Sequence, residues 1–149
     1  MKKQKIYYVL FLLLGCTNPV DDLEIGEPFS QQEAVIDDWE LRRVHHIDEL
    51  DLNKPYTDLT ELFTASAASL VIDESTFTYT QSSGPNFLDT SGSWEFDDED
   101  FPEYMILNSG TQVRLGAPAR SANDSLILVF ERKCEEKTVS SYEYLFIRK

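Results

Sequence analysis

Ser69-Leu70-Val71-Ile72-Asp73-Glu74-Ser75-Thr76-Phe77-Thr78-Tyr79-Thr80 carries the fold in miniature. Leu70 and Ile72 alternate with their neighbours, and after the polar break Asp73-Glu74-Ser75 so do Phe77 and Tyr79. A period of two places each pair on one face of a strand, and the break supplies a turn, so the stretch predicts a hairpin with one apolar side. The pattern continues downstream. Ser82-Ser83-Gly84-Pro85-Asn86 is turn chemistry, and Gly92-Ser93-Trp94-Glu95-Phe96 follows as a strand with Trp94 and Phe96 on one face. An acidic turn over residues 97–100 leads into residues 104–107, and Asn108-Ser109-Gly110 turns the chain into residues 111–115. Residues 125–133 and 139–148 form the last pair, joined across Glu135-Glu136-Lys137.

Upstream, Trp39-Glu40-Leu41-Arg42-Arg43-Val44 opens the first strand, with Trp39, Leu41 and Arg43 on one face. Before it, Ser30-Gln31-Gln32-Glu33 is a capping box that starts a helical turn through Ala34, Val35 and Ile36. After it, residues 52–56 read as loop. Thr57 then caps a second short helix from Asp58 to about Ser66, in which Leu59, Leu62 and Phe63 make a narrow apolar stripe. Seven or eight short strands at hairpin spacing predict an all-β domain, a barrel or a sandwich. Residues 104–107, 126–130 and 144–147 are apolar on both faces, so those strands need a cover outside as well as a core inside. Val35, Ile36, Leu59, Leu62 and Phe63 are the available cover. The expectation is therefore an up-and-down antiparallel barrel of about eight strands with one or two short helices packed outside; a β-sandwich is the alternative.

The start of the chain has a different character. Lys2, Lys3 and Lys5 precede an uncharged apolar run over residues 6–14, nine residues that rise only about 13 Å as helix. That is too short to span a membrane and has the layout of a secretory signal. Leu13-Leu14-Gly15-Cys16 resembles a bacterial lipobox, which implies a signal peptide over residues 1–15 and a lipid, such as palmitate, on Cys16. Thr17 after the cysteine, and Asp21, Asp22 and Glu24 beyond it, resemble outer-membrane sorting, facing either the periplasm or the exterior. Residues 16–35 then form a tether, rich in Pro, Gly and acids up to residue 29, and residues 36–149 form the domain.

Without residues 1–15 the chain keeps 10 basic and 27 acidic side chains, a net charge of −17. Such a chain repels nucleic acid, which is not an expected partner. With Cys16 lipidated, Cys134 has no partner for an internal disulfide, and cysteine-based metal sites are excluded by count. Cys134 reads as a partly buried residue near a strand end.

Candidate chemistry is thin. His45-His46 beside Asp48 and Glu49 is the one histidine cluster, but adjacent strand residues point to opposite faces and cannot both hold one ion. Asp97-Asp98-Glu99-Asp100 lacks the spacing and glycine of a calcium loop and reads as a solvated turn. There is no Gly-x-Ser-x-Gly elbow. No enzyme activity, metal or cofactor is expected.

Trp39-Glu40-Leu41, Asp58-Leu59-Thr60-Glu61-Leu62-Phe63 and Gly92-Ser93-Trp94-Glu95-Phe96, following a lipobox and a tether, resemble the lipocalin-like lipoprotein domains of Gram-negative bacteria. Asp38 stands where true lipocalins carry Gly, so the likeness is to the lipoprotein group. It implies an eight-stranded up-and-down barrel and carries over no catalytic residues. Phe77, Tyr79, Trp94, Phe96, Tyr104, Phe130, Tyr142, Tyr144 and Phe146 are then candidates to line a pocket at a barrel mouth. Equally, the inward-pointing ones fill a small barrel. The first reading is a lipid-anchored envelope module that holds a small apolar or amphipathic ligand. The second is an accessory lipoprotein with a filled core that docks an envelope protein.

Overall fold

The computed structural model describes residues 30–51, 53, 56–64, 68–81, 87–108, 110–118 and 124–149. The expected signal peptide, Cys16, the expected tether up to residue 29 and the expected turn over residues 82–86 lie outside the described residues. Among the described residues, two short helices, α1 (Gln31–Val35) and α2 (Thr60–Thr64), accompany nine strands. The strands are β1 (Asp37–Asp48), β2 (Thr57–Asp58), β3 (Ser69–Ile72), β4 (Thr76–Thr80), β5 (Ser91–Phe96), β6 (Tyr104–Leu107), β7 (Thr111–Leu115), β8 (Ser125–Cys134) and β9 (Lys137–Arg148).

Every neighbouring pair is antiparallel, β1-β3-β4-β5-β6-β7-β8-β9. β9 returns to β1, with Trp39 opposite Arg148 and Asp48 opposite Ser140, so eight strands close into a barrel. Closure decides against the sandwich. β2 lies outside the ring, attached to β1 at His45 and His46.

The alternation read from the sequence sets the interior. Leu70, Ile72, Phe77, Tyr79, Trp94, Met105, Leu107, Val113, Leu126, Leu128, Tyr144 and Phe146 are buried and form one cluster. β1 departs from strict alternation. A register shift between Leu41 and Arg43 puts Val44 into the core and turns Arg43 out to solvent. One extra residue flips every side chain beyond it, which is why Arg43 leaves the face shared by Trp39 and Leu41.

The helices lie outside the barrel wall, but they close its two ends instead of covering its outer face. α1 begins at Ser30, whose hydroxyl accepts from the Glu33 amide as the capping box requires. Its Gln31 and Gln32 amides donate to the Asp100 and Glu74 carbonyls at 2.9 and 2.7 Å, and Val35 is buried. The Trp39 indole N–H donates to the Val35 carbonyl at 2.9 Å. Thr57 is a strand residue, not a helix cap; the Asp58 carboxylate accepts from the Thr60 amide and starts α2 instead. Within α2 Phe63 turns inward, while Leu62 stays 61% exposed. The outer side chains Ile106, Ile127, Leu145 and Ile147 are accordingly only partly buried. Cys134 ends β8 exposed, not partly buried, because β8 outruns β7 there.

Candidate binding site at the barrel mouths

The predicted pocket residues do not share one site. Phe77 and Phe130 meet at the α2 end; Trp94 and Phe96 meet at the α1 end. Tyr79 and Tyr144 are buried in the ring cluster at the α2 end, Phe146 is fully buried, and Tyr142 packs against His46 with ring centroids 4.8 Å apart. Tyr104 falls on the outer face, since its neighbour Met105 points inward, so it lines neither mouth. Phe146, Trp39, Leu70, Ile72, Met105, Val44 and Val113 are almost completely excluded from solvent. Side chains fill the middle of the barrel.

Phe87 organises the α2 mouth. Its ring stacks on Tyr144 with centroids 3.7 Å apart, and meets Tyr79, Phe130 and Phe63 edge-on at 4.8, 5.3 and 6.3 Å. Sequence reasoning missed it, because Phe87-Leu88 follows a turn and belongs to no period. The only available signal was an apolar pair on a segment otherwise made of turn residues. Burial of this cluster pushes the Tyr79 and Tyr144 phenols well above the ordinary value; for Tyr144 the neighbouring phenols Tyr79 and Tyr142 add to the effect. The Tyr79 hydroxyl donates to Gln81 Oε1.

Above these rings lies a cleft of about 430 Å³. Phe77, Phe87, Leu88, Leu107 and Phe130 form its apolar part, and Asp89, Thr90, Asn108 and Thr111 its polar part. Asn108 fastens that polar side. Its backbone has φ 50°, a left-handed conformation that asparagine tolerates better than most residues. Its Nδ2 donates to Asp89 Oδ2 at 2.7 Å, and its Oδ1 accepts from the Ser93 amide at 3.2 Å. Gly92 leaves the necessary room, since a Cβ there would stand 1.9 Å from Asn108 Oδ1. A tight turn, a glycine and a carboxamide thus hold Asp89 at the rim.

The α1 mouth is larger, about 610 Å³, between Trp94 and Phe96 on one side and Gln31, Gln32, Glu74 and Asp100 on the other. The acidic turn beside it is internally braced. Asp97 Oδ1 accepts from the Glu103 and Tyr104 amides, and Asp98 Oδ1 from those of Asp100 and Phe101. The two amides hold the Asp98 carboxyl below the usual carboxylate range.

The histidines diverge as their adjacency in one strand requires. His45 stacks on Tyr56 at 4.3 Å with Nδ1 4.0 Å from Glu143 Oε1, whereas His46 faces Tyr142. Among the described residues, no group of three or more His, Cys, Asp or Glu is arranged to hold a metal ion. The chain matches no protein-family model, no curated protein and no solved structure.

Proposed function

We propose that this chain is a lipid-anchored binding module of the bacterial outer membrane that holds a small amphipathic molecule at the α2 mouth of its barrel. The observation that carries the reading is the cleft there: an aromatic floor, a polar rim fixed by Asn108, and a volume of about 430 Å³. Ligand sites favour barrel mouths, and this volume lies within the usual range for small-molecule pockets. The filled interior limits the ligand to what fits above Phe87, which excludes a long acyl chain threaded through the barrel. Anchoring rests on the Leu13-Leu14-Gly15-Cys16 motif. A diacylated cysteine stabilises membrane attachment durably, at about 0.8 kcal/mol per buried methylene.

The same filled interior favours a second reading, an accessory lipoprotein that docks a protein partner. Native mass spectrometry of the full chain, with envelope extract added, separates the two. A small added mass lost on denaturation, and absent from Phe87→Ala, supports the ligand reading. A bare chain that instead retains an envelope protein supports docking. For the anchor, Cys16→Ala should move the protein from the membrane fraction to the soluble one; continued membrane fractionation would remove the lipid from the proposal.

A further inference from the structure

The described residues lining the α2 cleft include one charged group, Asp89, and no cation. One of its oxygens takes the Asn108 amide at 2.7 Å, which orients the carboxylate at the rim. The rings of Phe77, Phe87 and Phe130 line the same cleft. A carboxylate in one cleft with aromatic rings is complementary to a cation on an apolar body: the charge pairs with the carboxylate, and the body packs on the apolar lining. An anionic amphiphile meets the opposite situation, a like charge at the rim and no countercharge in the lining, within a chain whose net charge is already −14.

From this geometry we infer that the α2 cleft selects protonated amines carried on a compact aromatic or aliphatic body, with Asp89 as the residue that sets the selectivity. The inference rests on the ligand reading above and specifies its chemistry. The apolar body occupies the floor beside Phe87 and Phe130, and the ammonium group reaches Asp89 at the rim. Asn108 acts as a positioning residue, holding the carboxylate where the amine arrives.

Three probes of nearly equal size separate charge from shape: 2-phenylethylammonium, 2-phenylethanol and 3-phenylpropanoate. Each is titrated calorimetrically into the full chain at about 0.15 M salt, where remote surface charges are largely screened. Amide shifts of residues 87–90 and 107–111 locate the binding. The amine is expected to bind roughly tenfold or more tighter than the alcohol, the gain of a charge-assisted hydrogen bond, and the carboxylate more weakly than either. Asp89→Asn keeps an acceptor for Asn108 and should bring amine and alcohol to within about threefold. Equal binding of amine and alcohol to the unaltered chain overturns the selectivity while leaving the ligand reading in place. An amine preference that survives Asp89→Asn, or that moves other amides, also overturns it. If none of the three probes binds at the cleft, both the selectivity and the ligand reading fall.

Discussion

The two ends of this barrel are closed by different physics. At the α1 end a five-residue helix is lashed down by hydrogen bonds: two glutamine amides to turn carbonyls, an indole N–H to the helix end, and the Arg148 guanidinium to the Ala34 carbonyl at 3.3 Å. At the α2 end the closure is a cluster of rings, with Phe87 touching Phe63, Tyr79, Phe130 and Tyr144. The two glutamine bonds are exposed and exchange with water at little net gain, while the indole bond is buried. The packed rings of the other end remove area from water and add edge-to-face contacts. The glutamine contacts at the α1 end should therefore add little to what buried Ala34, Val35 and the indole bond already hold, and the α2 end should be rigid enough to hold a shaped cleft.

The largest effect tests where the common core stops. Trp94 lines the α1 mouth yet is only 5% exposed, and its indole N–H donates to the Asp73 carbonyl at 2.8 Å. Trp94→Ala should cost about 3–5 kcal/mol in urea unfolding, the usual range for a buried aromatic. A loss below about 1 kcal/mol would place Trp94 in the polar closure and not in the core.

Phe87→Ala comes next and strikes the other end. Phe87 is partly buried, so removing it should cost about 2–3 kcal/mol, somewhat less than a full core aromatic. Its loss should also raise hydrogen exchange around Tyr144 and Tyr79. An unchanged unfolding midpoint would mean that the ring cluster does not hold this end together.

Phe87 also marks the limit of what the sequence could reveal. The barrel was legible because Leu70, Ile72, Phe77, Tyr79, Trp94 and Phe96 obey a period of two, which reports burial directly. Tyr104 was misplaced by the same reasoning: its strand is apolar on both faces, and alternation alone does not say which face is inside. The inward turn of Phe63 and the whole role of Phe87 depend on how irregular segments fold back over a barrel mouth. No periodicity encodes that. Asn108 was readable as a turn residue, but its bond to Asp89 joins residues 19 apart along the chain.

Alkaline pH offers a subtler probe of the α2 end, because both strongly perturbed phenols, Tyr79 and Tyr144, sit in its ring cluster. Their folded values lie above the unfolded value of about 10. The stabilisation from keeping them neutral is thus complete below pH 10. Above it the unfolded chain releases protons that the native chain retains, and stability falls by about 1.4 kcal/mol per pH unit for each tyrosine. Urea midpoints between pH 9 and 12, followed with phenolate absorbance, should show this decline, and Tyr144→Phe should make it about half as steep. Two phenols that ionise at the ordinary value without unfolding would contradict the burial of the cluster.

The smallest effect is the most pointed, because it addresses the α1 closure alone. Gln32 is exposed, and what it contributes is one neutral hydrogen bond to the Glu74 carbonyl. Gln32→Ala should cost about 0.5–1 kcal/mol, and Gln31→Ala, which releases the Asp100 carbonyl, about the same. The two bonds run to different turns, so the losses should add to within a few tenths of a kcal/mol. A helix of five residues has no stability of its own. Amide exchange over residues 31–35 should therefore rise in the double variant while exchange in β8 and β9 stays at its original rate, because Val35 and the Trp39 bond still seat the helix against the core. If the double variant instead lowers protection across β8 and β9, α1 belongs to the same cooperative unit as the strands, and the two ends differ in composition but not in mechanical role.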